Sequence, residues 1–208
     1  IFKKGCMPMM NTIRRMVPLD LESVVSIHLS SFQGFFLSFM GASFLRVFYR
    51  AVLFDEGNIS FVSESGGHIV GFVVGTTKPY GFYKRVVMRY WCQLMIAAIV
   101  PVIRQPVTLL RLMRRLGVVS EMDRGQSEVL LMSIAVSPSG QNLGIGTQLI
   151  DAFIAEAKRR GISAISLTTD KINNEQANQF YFRRGFKCSS SFTTAEGRQM
   201  NEYRMELS

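Results

Sequence analysis

Three residues at one crossing between a strand and a helix form a cradle suited to phosphate. The stretch SIAVSPSGQNLGIGTQLIDAF, Ser133 to Phe153, opens as a buried strand, passes a Pro-Ser-Gly loop and ends as the start of a helix. Gln141, Gly144 and Gly146 sit at that crossing. A helix N-terminus leaves main-chain N–H groups unpaired and carries partial positive charge, so it suits an anion. Gly144 and Gly146 bring no Cβ to obstruct a close approach, while Gln141, Asn142 and Thr147 add polar side chains around the mouth. No Gly-Lys-Ser/Thr follows, so this is not a P-loop, and the third glycine of a dinucleotide fingerprint is missing. Taken alone, the pattern also fits a plain tight turn from strand to helix.

A second cassette lies downstream. NEQANQFYFRRGF spaces Asn174, Ala177, Tyr181, Gly185 and Phe186 along a short helix closed by glycine. The two motifs, Gln-x-x-Gly-x-Gly and then Asn-x-x-Ala-x-x-x-Tyr-x-x-x-Gly-Phe with a helix and a strand between, resemble those of the GNAT superfamily of N-acetyltransferases. The resemblance implies acetyl-CoA as cofactor. It implies that the pyrophosphate rests on Gln141, Asn142, Leu143, Gly144, Ile145 and Gly146, with Thr147 at the helix start. The pantetheine arm is then expected along Ile134, Ala135 and Val136, on a bulged strand that splays from its neighbour. Asn174 and Ala177 are expected beside the arm, and Tyr181 facing the sulfur.

The chemistry so implied is attack of a neutral amine on a thioester, with a main-chain N–H steadying the oxyanion. Tyr181 is the expected proton donor to the leaving thiolate; otherwise it is a packed helix aromatic. The base is open. The position that matches the glutamate of the histone-modifying branch is Leu130; Glu128 shares its face of the strand, and Asp170 follows the next strand. Both acids also read as solvated strand ends. The resemblance sets the acceptor between the first helices, the splayed strands and the last hairpin, which points to His28, Phe32, Phe35, Phe36, Arg198 and Glu202. The phenylalanines read equally as core, and His28 as a satisfied helix histidine. An apolar, basic site suits an anionic or partly apolar amine, such as a nucleotide-linked amino sugar, better than a polycation.

These residues need positioning elements. TIRRMV from Thr12 predicts a strand ended by Pro18, and Asp20 an N-cap for a helix through Phe32. ASFLRVFYRAVLF predicts a second helix, and NISFVSES and HIVGFVVGT a hairpin about Gly66-Gly67. EVLLMSIAV is an apolar strand, GTQLIDAFIAEAKRRG an amphipathic helix, SAISLTT a buried strand, and the chain from Phe186 to Leu207 a last hairpin turning near Glu196-Gly197. The fold class is α+β: a mixed, mostly antiparallel sheet with a splayed central strand pair, flanked by helices. The 208 residues read as one domain with a helical insertion at about 79–126.

The insertion carries much of the net charge of +9. Lys78, Lys84, Arg85, Arg89, Arg104, Arg111, Arg114 and Arg115 occur with no Asp or Glu among them. Its apolar run from Tyr90 to Ile103 is too short to span a bilayer. Two or three helices packed on the domain are expected there, with Pro101 and Pro106 as breaks, or else a basic apolar helix with weak contact to a membrane surface. Nucleic acid is not expected, because only charge suggests it. Cys6, Cys92 and Cys188 are odd in number and widely spaced, and His28 and His68 are the only histidines, so neither a disulfide scaffold nor a metal site is expected. The N-terminal stretch lacks the apolar core of a signal peptide, and the location expected is the cytoplasm. The partner is a small-molecule or peptide amine, and the protein a monomer or homodimer. The rival from another class is a coenzyme-A-binding module without catalysis.

Overall fold

The computed structural model describes residues 11–104, 128–194 and 197–207. Among the described residues, seven strands form one sheet in the order β1-β2-β3-β4-β5-β7-β6. They are β1 (Thr12–Arg15), β2 (Asn58–Ser65), β3 (His68–Thr76), β4 (Glu128–Val136), β5 (Ala164–Asp170), β6 (Lys187–Thr193) and β7 (Gln199–Glu206). Six helices are described: α1 (Leu21–Ser31), α2 (Phe36–Phe39), α3 (Gly41–Leu53), α4 (Phe82–Arg104), α5 (Ile145–Arg159) and α6 (Glu175–Arg183). Every pairing is antiparallel except β4 with β5.

Alternation along the strands builds a core on each face of the sheet. Val62, Phe72 and Val74 point to one face, where Val24, Leu45, Phe48 and Tyr49 of α1 and α3 cover them. Ile59, Val73, Val129, Leu131, Ile165 and Leu167 point to the other, under Leu149, Ile150 and Phe153 of α5 and Tyr181 of α6. The last hairpin joins this second core through Tyr203, with Met205 and Leu207 partly buried beside it, so the expected alternation there is observed.

Asp20 precedes α1, yet its carboxylate makes no cap. It accepts instead from both terminal nitrogens of Arg14, each at 2.8 Å, and from the Val17 N–H at 2.8 Å. A bidentate guanidinium outcompetes a helix N–H for a buried carboxylate. The burden of holding the chain entry thus falls on an ion pair between β1 and the turn before α1.

Of the insertion expected at about 79–126, the described part is α4, 23 residues between β3 and β4 in which two helical segments meet at a kink. Its kink lies at Tyr90, while Pro101 is carried inside the helix. Pro106 and Arg111 to Arg115 lie outside the described residues.

Candidate active site

The central feature is a fork. β4 pairs with β5 only at Glu128, Val129 and Leu130, opposite Ala164, Ile165 and Ser166. Beyond Leu130 the two strands run apart, while β4 keeps pairing with β3 as far as Val136. The cause is local. The register against β3 slips between Val74 and Gly75, which face Ser133 and Leu131, so Met132 is an extra residue that bends β4. Gly75 admits the bend: a Cβ there would lie 2.4 Å from the Leu130 carbonyl oxygen and 2.6 Å from the Phe153 ring.

Which main-chain groups face the fork follows from the ladder. The Ser137 N–H donates to the Val70 carbonyl at 2.8 Å, extending the β3–β4 pairing. Groups alternate along a strand, so Ser133, Ala135 and Ser137 bond to β3, and Ile134 and Val136 turn their N–H and C=O the other way, into the fork.

At the end of β4 the chain turns through Pro138–Gly140 and starts α5. Gly144 is the residue before α5, at φ +72°, the left-handed region that glycine enters without cost. No side chain caps the helix. The N–H groups of its first turn therefore face the exposed loop from Gln141 to Gly144 without an internal acceptor. Gly146 differs from Gly144. A Cβ at Gly146 would meet Phe180 and Val136 at 3.7–3.9 Å, ordinary contact, so the protein itself does not demand glycine there. An uncapped helix start beside an unpaired strand edge fits an elongated ligand with a diphosphate at one end.

The cassette lies on the α5 side of the sheet. Tyr181 is 7% exposed, with its ring against Phe180, Phe186 and Tyr203. Burial pushes the Tyr181 phenol up, so it stays protonated at any physiological pH. Ala177 is partly buried in the same cluster. Asn174 donates its amide to Thr169 Oγ1 at 2.7 Å and to the Asp170 carbonyl at 3.3 Å. Asn178, which the sequence reading missed, ties the region together. Its amide donates to the Asp170 carbonyl at 2.9 Å, and its oxygen accepts from Asn201 at 3.0 Å and from the Tyr203 hydroxyl at 2.9 Å. The available signal was a second asparagine one helical turn after Asn174.

Four of the residues named for the acceptor, Arg198, Phe35, Phe32 and His28, form one continuous line. The Arg198 guanidinium carbon is 4.2 Å from the centroid of Phe35. Phe35 meets Phe32 edge to face at 5.5 Å, and Phe32 lies 4.6 Å from the His28 ring. His28 Nδ1 is 2.6 Å from the Tyr49 hydroxyl, and Tyr49 in turn bonds to Ser133 on β4. In the tautomer that takes the phenol proton on His28 Nδ1, the imidazole proton sits on Nε2. Nδ1 is thus satisfied within the protein, while Nε2 is buried without a partner among the described residues. Burial also pulls the His28 pKa down to about 4. Phe36 begins α2, and Glu202 accepts from the Ser190 hydroxyl at 2.9 Å on the last hairpin.

The two acids part company. Asp170 ends β5 at the open side of the fork and holds Arg198 through both oxygens, at 3.1 and 2.5 Å. Glu128 begins β4 at the closed side and pairs with Arg204 at 2.6 Å. Strand rise alone sets it roughly 16 Å from Ser133. The fold does not bring Glu128 to the open fork.

This architecture matches known proteins. The model of the acetyltransferase (GNAT) family matches residues 21–186, and the chain belongs to that family. It is an acyl-CoA-dependent N-acetyltransferase whose cofactor is acetyl-CoA. No curated protein sequence matches it. Among solved structures, a putative GNAT acetyltransferase from Desulfovibrio desulfuricans is 17% identical with a TM-score of 0.64, covering 96% of this chain and 100% of its own. The ribosomal-protein-S18-alanine N-acetyltransferase from Escherichia coli is 18% identical with a TM-score of 0.59, covering 96% and 95%. A putative acetyltransferase from Salmonella typhimurium, solved with acetyl-CoA, is 15% identical with a TM-score of 0.62, covering 95% and 94%. At these identities the likeness is one of fold: a mostly antiparallel sheet flanked by helices.

Proposed function

We propose that the protein moves the acetyl group of acetyl-CoA, by direct attack, onto the primary amine of a small, partly apolar or anionic acceptor. The observation that carries this reading is the line from Arg198 through Phe35, Phe32 and His28 to Ser133, which borders the fork with aromatic rings and one guanidinium. An aromatic wall favours an acceptor with an apolar part, and the buried Nε2–H of His28 favours one with an oxygen to accept it.

Acetyl-CoA, when bound, supplies an activated acyl group as a thioester. The residues that fit it are the main-chain donors and polar side chains from Gln141 to Thr147, the strand from Ile134 to Val136, and Asn174 with Ala177 on the far side of the fork. Main-chain N–H groups at Ile134 and Val136 are unpaired and fixed by the β3 ladder, which makes them ready donors to a developing oxyanion. Tyr181 Oη keeps its proton because of burial, and it acts as the acid on the leaving-group side. Of the two acids, Asp170 alone stands at the open end, which favours it over Glu128 as the group that takes the ammonium proton. Cys92 and Cys188 are exposed free thiols, which supports a reducing compartment, the cytoplasm.

The test is release of free thiol from acetyl-CoA against a panel of amines: amino sugars and their nucleotide conjugates, aromatic amines, spermine, and peptides with a free N-terminal alanine. Turnover concentrated on the apolar and anionic amines is expected. Turnover confined to spermine and basic peptides would overturn the acceptor class.

A further inference from the structure

The geometry of α4 points to a second surface, and we propose that this helix docks the enzyme on an anionic lipid bilayer. The helix has two unlike halves. In the first, Phe82 and Val86 are buried, Phe82 meets Phe48 edge to face at 6.4 Å, and Arg85 pairs with Asp55 at 3.3 Å. Tyr90 and Leu94 still pack against the core. Beyond Leu94 no described side chain of α4 is buried, and a cavity of about 870 Å³ lies between this free half and α3, lined by Met40, Arg46, Ile96 and Val100 among others.

The free half is apolar from Met95 to Ile103, ahead of Arg104. Met95, Ile96, Ile99, Val100 and Ile103 are exposed, the last at 73%. An array of this size exposed on one element marks an interaction surface. By length and composition the helix qualifies as a membrane span, but its first half is fixed to the domain. The uncharged run from Tyr90 to Ile103 reaches only about 21 Å, short of the roughly 30 Å of a hydrocarbon core. The helix therefore enters the interfacial layer and does not cross.

Charge selects the partner. Lys84 and Arg89 are exposed at the base of the free half, and no acidic residue occurs between Lys78 and Arg115. A second copy docked face to face would bring cations toward cations, whereas anionic headgroups supply the opposite sign. The order along the helix fits a bilayer as well. Tyr80, Tyr83 and Trp91 lie exposed beside Lys84 and Arg89, Cys92 and Gln93 follow, and from Met95 to Ile103 the exposed side chains are aliphatic or methionine. Aromatic rings with cations at headgroup depth and aliphatic side chains deeper is the arrangement that interfacial anchors adopt.

Trp91 is the only tryptophan in the chain and reports the docking directly. With vesicles of phosphatidylcholine and phosphatidylglycerol at 3:1, its emission should shift to the blue and be quenched by brominated acyl chains. Pure phosphatidylcholine should give little of either, and 0.5 M NaCl should weaken both. Lys84→Gln with Arg89→Gln should lower partitioning roughly 25-fold, at about fivefold for each cation lost. Ile96→Glu with Ile99→Glu, both exposed, should abolish flotation while thiol release with a dissolved acceptor stays as it was, which separates this surface from the catalytic reading. Equal binding to neutral vesicles overturns the proposal. So does a Trp91 shift that tracks protein concentration without lipid, which would make the face an interface between copies. No shift under any of these conditions overturns it too.

Discussion

Arg198 stands 4.2 Å from the Phe35 ring centroid while its guanidinium grips both oxygens of Asp170. One side chain of the last hairpin thus fastens the segment after α1 to the end of β5, across the mouth of the fork. Lysine can keep the charge but not the planar two-point grip or the stacking. Arg198→Lys should raise KM for the amine acceptor by about tenfold, the worth of roughly 1.4 kcal/mol of stacking and lost hydrogen bonding. KM for acetyl-CoA should change little. Steady-state kinetics with each substrate varied in turn separates the two, and a rise confined to acetyl-CoA would remove Arg198 from the acceptor side.

The buried His28 makes stability depend on pH. Its pKa falls from 6.5 in the unfolded chain to about 4 in the fold. Between those values the unfolded chain binds more protons, so stability declines as pH drops from about 6.5 toward 4 and levels off below. The loss approaches 3 kcal/mol in order of magnitude. Urea midpoints measured from pH 7 to pH 4.5 should fall less steeply in His28→Gln than in the parent protein.

The glycines of the phosphate cradle should behave differently. Gly144→Ala forces a Cβ into a left-handed backbone at φ +72°, at a cost of about 1–2 kcal/mol, whatever is bound. Gly146→Ala meets only ordinary contacts, and thermal stability should hold. Calorimetric titration with coenzyme A then isolates the ligand: weaker binding by Gly146→Ala with an unchanged melting temperature shows that the ligand approaches this backbone closely.

Removing the Tyr181 hydroxyl should cost rate and little else. Tyr181→Phe keeps the ring among Phe180, Phe186 and Tyr203. A drop in kcat of about 10²-fold is expected for a lost general acid, with affinity for coenzyme A preserved. Equal rates would assign Tyr181 to packing alone.

Glu156 tests the scaffold. Its carboxylate, 6% exposed, accepts from Arg15, Arg159 and Arg160 at 2.7–2.9 Å, linking α5 to β1. Hydrogen bonds from Arg159, then from Arg160 and Arg15, hold the carboxyl well below the usual range against the opposing effect of burial. Its stabilisation is present above about pH 4.5 and is lost as pH falls through the depressed value. Glu156→Gln should lower unfolding free energy by roughly 2 kcal/mol at pH 7, less than a fully enclosed pair because the arginines reach solvent. Chemical denaturation at pH 7 measures it.

What the sequence made legible was local. The glycine loop, the Asn174 to Phe186 cassette and the β2–β3 hairpin at Gly66-Gly67 declare themselves within a few residues. The fork was expected only through the family likeness, because it depends on Met132 slipping against β3, a pairing between distant segments that no window contains. Asn178 was overlooked for the same reason, since its partners lie on β5 and β7. Arg198 and Phe35 could be named together from the family likeness, but their stacking could not. For α4 the sequence left two readings open, helices packed on the domain or a helix on a membrane surface, because apolarity states only that water is a poor neighbour and does not say whether core or a partner replaces it.

The slipped register at Met132 has a readout in amide exchange. In the middle of a broad sheet every strand amide would ordinarily be slow, yet β4 should show a two-residue beat. Ser133 and Ala135, locked to β3, retain their protons for long periods, and Ile134 and Val136 trade theirs with solvent far sooner. A molecule lodged along that edge would silence the beat by slowing the even-numbered amides alone. Deuterium uptake would then show which amides it covers before any turnover assay is run.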